Sequence, residues 1–126
     1  MNAAVSAVLF VKDCARVTTF YRDVFDARTL ESSADHTLLE CSGFQLTIHQ
    51  IPRDLAKEIV VPQPVERRER NSLRLDLPVA NLERSRVVAR LLGGTIDDAP
   101  PPWAGSEIRF HLGHDPEGNV FGAASP

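Results

Sequence analysis

The side chains able to do chemistry in this sequence are few and scattered. His49 follows Gln45 and Thr47 at alternate positions of a strand-like run, so the three point to one face. Glu107 and His111 share a face of a later run in the same way. Two imidazoles and a carboxylate are enough in number for a divalent transition metal, which binds donors of those kinds. Arg74 and Asp76 form a second group, alternating with Leu73, Leu75, Leu77 and Val79. If the apolar face of that run is packed, both charges point away from it together. Two roles are then open: Arg74 pairs with Asp76 or another acid, or its fork of donors binds a carboxylate, phosphate or enolate oxygen of a ligand. Trp103 lies in a proline-rich stretch, as a lid for a flat ligand or as a packing or interface anchor. His36 and His114 fall at turns and are expected to face solvent. No serine, cysteine or histidine stands in a visible nucleophile–base pattern.

Composition bounds what this chemistry serves. The chain has 126 residues, 43% hydrophobic and 25% charged, which describes one ordinary soluble domain. A net charge of −3 offers no basic footprint for nucleic acid and no polybasic patch for a membrane surface. No apolar run approaches the ~18 residues of a membrane span. Cys14 and Cys41 lack a C-x-x-C spacing and read as free thiols in a reducing compartment. The N-terminus has no positively charged leader region, so a cytoplasmic location is expected. The excess of arginine over lysine points to a GC-rich bacterial genome.

The elements that must position these residues come in two similar sets. Residues 4–11 read as a buried strand ended by Lys12, and Asp13 is placed to cap a helix. Val17, Phe20, Tyr21, Val24 and Phe25 form the apolar stripe of that helix. Strand-like runs follow at about 28–31, 37–41 and 44–50, where Glu40 stands either toward a ligand or at a surface edge. Residues 51–71 hold Pro52, Pro62, Pro64, a short helical stretch near 54–59 and the charged run 66–70, and read as a solvated linker. The pattern then restarts: the strand around Leu75, a cap at Asn81, and a helix with Leu82, Val88, Leu91 and Leu92 on one face. Gly93 and Gly94 end that helix, a strand is expected at 95–98, and a hairpin turns at residues 115–119. Val11 to Arg16 overlays Val79 to Arg84, and Gly43 overlays Gly118. Such a repeat constrains the whole fold. The division is a first βαβββ module at 1–50, the linker, and a second module at 72–126.

The run Asp115-Pro116-Glu117-Gly118-Asn119-Val120-Phe121 resembles the last-hairpin motif of the vicinal oxygen chelate superfamily. The capped helices with Arg16 and Arg84, the Phe20-Tyr21 pair and Leu91-Leu92-Gly93-Gly94 extend the resemblance over nearly the whole chain. That superfamily includes glyoxalase I, bleomycin-resistance proteins and extradiol dioxygenases. The resemblance implies an α+β fold of two tandem βαβββ modules forming a curved, mixed, eight-stranded sheet. Helices would cover the convex face, and the concave face would hold a small organic molecule. It also implies a metal held on the concave face by His, Gln and Glu from the first and last strands of each module. Carried over position by position, those places fall on Ser6, Thr47, Arg74 and Gly122, none of which is a ligand for such a metal. A metal-free, cofactor-free protein similar to the bleomycin-resistance branch is therefore expected. Its cavity would be formed by Ser6, Val8, Phe10, Thr47, His49, Arg74, Trp103 and Gly122. The alternative is a lyase or dioxygenase of the same superfamily. It would use relocated ligands (His49, Glu107, His111), or metal-free chemistry with His49 as base and Arg74 as oxyanion stabiliser. Members commonly pair their modules about a two-fold axis, so a homodimer with cavities near the interface is expected.

Overall fold

Both βα junctions are built by one device. Asp13 and Asn81 take extended backbone conformations, and each side chain accepts the backbone N–H three residues on, at 3.1 Å from Arg16 and 3.0 Å from Arg84. The computed structural model describes residues 4–105 and 109–126. The elements before the linker are β1 (Ser6–Val11), α1 (Cys14–Val24), β2 (Arg28–Ser32), β3 (His36–Cys41) and β4 (Phe44–Gln50). A single short helix, α2 (Arg53–Ala56), stands at the start of the linker. The second set is β5 (Leu75–Pro78), α3 (Leu82–Leu91), β6 (Thr95–Ile96), β7 (Arg109–His114) and β8 (Val120–Ser125). The strand order is β1-β4-β3-β2 in one sheet and β5-β8-β7-β6 in the other. In each sheet the first and last strands of the module run parallel and the other neighbours antiparallel. These are two tandem βαβββ modules.

The eight expected strands are therefore hydrogen-bonded as two four-stranded sheets, with β1 and β5 both left as edges. Each sheet turns one face to a shared core that holds Val11, Val17, Phe20, Leu39, Ile48, Leu77, Val79, Ile96 and Phe121. The Phe121 ring of the last strand packs against Phe20, Tyr21 and Phe25 of the first module, at centroid distances of 5.8, 6.0 and 5.1 Å. Burying rings of this size supplies much of the force that joins the modules. Helix α3 meets the core differently from the expected stripe. Of that stripe Leu82, Val88 and Leu92 do pack against the core, but Leu91 is 79% exposed and the fully buried residues are Ser85, Arg86 and Ala89. Small side chains at 85 and 89 let α3 come close to the first module, and Ser85 Oγ donates to the Val24 carbonyl at 2.7 Å. Leu73 likewise lies outside the core and outside β5.

The turn between β7 and β8 is a second joint between the modules. Asp115 is 0% exposed and accepts from the Glu117 and Asn119 backbone N–H groups, the Asn119 side chain and the Tyr21 hydroxyl. Burial pushes its carboxyl above the usual range, against the pull of those hydrogen bonds. The Tyr21 phenol is raised well above its ordinary value, first by burial and then by Asp115. Glu117 accepts the Lys12 and Asp13 backbone N–H groups, one on each carboxylate oxygen at 2.8 Å. A carboxylate there satisfies donors left over at the start of α1 and suits the positive end of its dipole. Gly118 has φ +85°, which a side chain rarely adopts, and a Cβ would run into the Glu66 carbonyl. Residues 51–71 are mostly exposed, as a solvated linker should be, but the segment is anchored at this turn. Arg68 N–H donates to the Gly118 carbonyl at 2.8 Å, and Arg67 is bound from two sides.

Candidate functional site

Strand alternation sorts the remaining side chains onto the open faces of the two sheets, away from the shared core. On the first sheet, Val8 lies beside Thr47 and Phe10 beside His49 in the β1–β4 register, with Ser6 at the start of the same face. Val8 and Phe10 are 51% and 62% exposed. The His49 Nδ1–H donates to the Gln50 carbonyl at 2.9 Å. His36, expected at a turn, lies on β3 and stacks with His49 at a centroid distance of 6.1 Å. Glu40 pairs with Arg28 at 2.9 Å.

On the second sheet the open face is built around Arg74, just ahead of β5. Its Nε and Nη2 donate to the two oxygens of Asp76 at 2.7 and 3.0 Å, which raises its pKa. The guanidinium carbon lies 4.8 Å from the Phe110 ring centroid and 5.3 Å from that of Trp103, within cation–π range. The two rings are themselves 5.6 Å apart. Together with Ala104 and Ala124 these residues line a recess of about 240 Å³. Of the two roles open to Arg74, pairing with Asp76 is realised. Three guanidinium N–H groups are left over among the described residues.

Gly122 sits opposite Asp76 in the β5–β8 register. A Cβ added there would fall onto the Asp76 carboxylate and the Phe110 ring. The position that the resemblance equates with a metal-binding glutamate is therefore filled by neighbours, and a side chain there would have to displace the Asp76 carboxylate and the Phe110 ring. Ser6, Thr47, Arg74 and Gly122 do not fit a metal: none offers an imidazole, carboxylate or thiolate, and Arg74 brings a fixed positive charge.

The expected cavity residues thus form two groups on different sheets: Ser6, Val8, Phe10, Thr47 and His49 on the first, and Arg74, Trp103 and Gly122 on the second. The relocated metal set does not converge. His111 is on the inner face of its sheet, where its Nδ1–H donates to the Asp97 carbonyl at 2.8 Å beside the buried Arg86 of α3. His49 is on the open face of the other sheet, and Glu107 lies outside the described residues. Among the described residues no group of three or more His, Cys, Asp or Glu could hold a metal ion. His114 also departs from expectation. It is half-buried, and Arg67 Nε donates to its Nδ1 at 3.0 Å while the rest of that guanidinium holds Asp97. Burial, and then Arg67, lower its pKa. Phe110 was not among the expected site residues. Its signal was the hairpin register, which sets it against Ala124, next to the missing side chain of Gly122.

Two βαβββ modules sharing a core, each with one open sheet face, define the paired-module class to which glyoxalase-like and resistance proteins belong. Residues 6–124 match the family model for the glyoxalase-like domain, and the chain belongs to that family. Among solved structures, it is similar to the fosfomycin resistance protein FosX from Listeria monocytogenes, with TM-score 0.69 and 16% identity over 100% of this chain and 92% of that one. FosX from Mesorhizobium loti gives 0.65 and 19%, over 99% and 92%. A glyoxalase/bleomycin resistance protein/dioxygenase family enzyme from Burkholderia phytofirmans gives 0.67 and 21%, over 95% of each chain. At these identities the likeness speaks to the fold alone. A search of curated protein sequences finds no significant match. No helix among the described residues is long and apolar enough to cross a membrane.

Proposed function

We propose that this protein binds a small organic molecule on the open faces of its sheets without the metal centre that its superfamily implies. The observation that carries the reading is Gly122, whose side-chain direction is taken up by Asp76 and Phe110. Aromatic and small apolar groups around a few placed polar atoms suit a small-molecule site. Among the described residues no nucleophile–base pair accompanies them, which favours binding over turnover as the main activity. A homodimer fits the same reading. Among the described residues the edges at β1 and β5 are unpaired, and the exposed Val8 and Phe10 need cover. Pairing of two copies would bring a first-sheet face of one against a second-sheet face of the other and complete the cup. The test is a thermal-shift screen of small aromatic and carboxylic molecules run with and without a chelator. Hits unaffected by the chelator support the reading, and hits that vanish with it overturn it.

A further inference from the structure

The Arg74–Asp76 pair presents two chemistries side by side at the mouth of the recess. Two of the five guanidinium N–H groups are bound to Asp76, and three remain among the described residues. Each Asp76 oxygen accepts one of those bonds and keeps capacity for another. Both residues line the recess. The pair carries no net charge, so an entering carboxylate gains little from Arg74 that Asp76 does not take back by repulsion. Beyond Arg74, Arg67 is balanced in the same way by Asp97, at 2.8 Å. An uncharged group with an acceptor next to a donor meets both halves at once, its carbonyl taking an Arg74 N–H and its N–H reaching Asp76. The walls favour a flat body: Trp103 is 63% exposed although its ring touches Phe110 and Arg74, and Ala104 and Ala124 leave room beside it.

Building on the ligand-site reading above, we propose that Asp76 sets the specificity of this recess. It directs the recess to uncharged planar molecules, such as aromatic or cyclic amides, in place of the anion that Arg74 alone suggests. Trp103 is the one tryptophan of the chain, so its fluorescence reports on the site. The experiment titrates benzamide and benzoate, which share ring and shape and differ in charge, into the wild-type protein and into Asp76→Asn, whose fold is checked by its melting temperature. The expected result is benzamide binding about tenfold tighter than benzoate to the wild type. Asp76→Asn should narrow or reverse that preference by strengthening benzoate. Benzoate binding the wild type as tightly as benzamide overturns the specificity proposal and leaves the ligand site standing. No response of Trp103 to either molecule at millimolar concentration removes the ligand site and the proposal together.

Discussion

The Tyr21 hydroxyl donates a 2.9 Å hydrogen bond to Asp115, joining the first helix to the last hairpin. Both groups are buried, and one belongs to each module. With Glu117 on the start of α1, this bond gives the Asp-Pro-Glu-Gly-Asn run a structural role as the joint between the modules.

Removing the hydroxyl should therefore cost stability well out of proportion to its size. Tyr21→Phe leaves Asp115 one donor short in a dry site, which costs about 1–3 kcal/mol. Urea unfolding should show a lower midpoint with an unchanged slope. A midpoint equal to the wild type would mean that Asn119 and the turn backbone suffice for Asp115.

The joint beside it should respond to pH through His114. Its folded-state pKa lies below the ordinary histidine value, by burial and by Arg67, while Asp97 works the other way. Between the depressed value and about 6.5 the unfolded chain binds more protons than the folded one. The contribution of His114 is thus present above that window and lost as pH falls through it. Protonation also removes the lone pair that accepts from Arg67. Unfolding midpoints measured at about pH 7.5 and about pH 5.5 should drop toward acid, and less so in His114→Gln. Equal drops in both proteins would clear His114 of this role.

Arg74 should matter more for binding than for folding. Its pair with Asp76 is part-exposed and screened, with side-chain exposures of 34% and 45%. Arg74→Ala should cost about 1–2 kcal/mol, counting the lost contacts with Trp103 and Phe110. The same change should abolish the Trp103 response to bound amides. A loss of about 3 kcal/mol or more would assign Arg74 a mainly structural role.

How much of this could be read from the chain depended on the range of the interaction. The caps at Asp13 and Asn81 bind backbone three residues away, so spacing reveals them. The repeat exposed both modules because each carries that cap and a positive-φ glycine, Gly43 or Gly118. Strand periodicity, by contrast, shows that two faces exist and not which one is inward. On β7 the apolar Phe110 and Leu112 alternate with Arg109, His111 and Gly113, so apolar periodicity alone would turn Phe110 inward. The choice falls to Gly113, on the His111 side, where the only room beside Thr95 and Phe121 is for a hydrogen atom. Phe110 is thereby turned out and His111 in. The pairing of Arg67 with Asp97 and His114 was hidden for another reason: partners so distant in sequence leave no local pattern.

Assembly gives a further test. If a second copy covers the open face of the first sheet, sedimentation at micromolar concentration should show the dimer. Phe10→Glu should shift it to monomer by placing a charge where apolar contact is expected. A wild-type protein that sediments only as monomer would sink the completed-cup reading.

We propose that Arg74, Asp76 and Phe110 occupy the place around Gly122 that the resemblance assigns to a metal centre. Elemental analysis of untagged protein, purified without chelator, decides between the two. The protein should carry far less than one zinc, nickel, manganese or iron per chain. One transition-metal ion per chain that survives dialysis would contradict it.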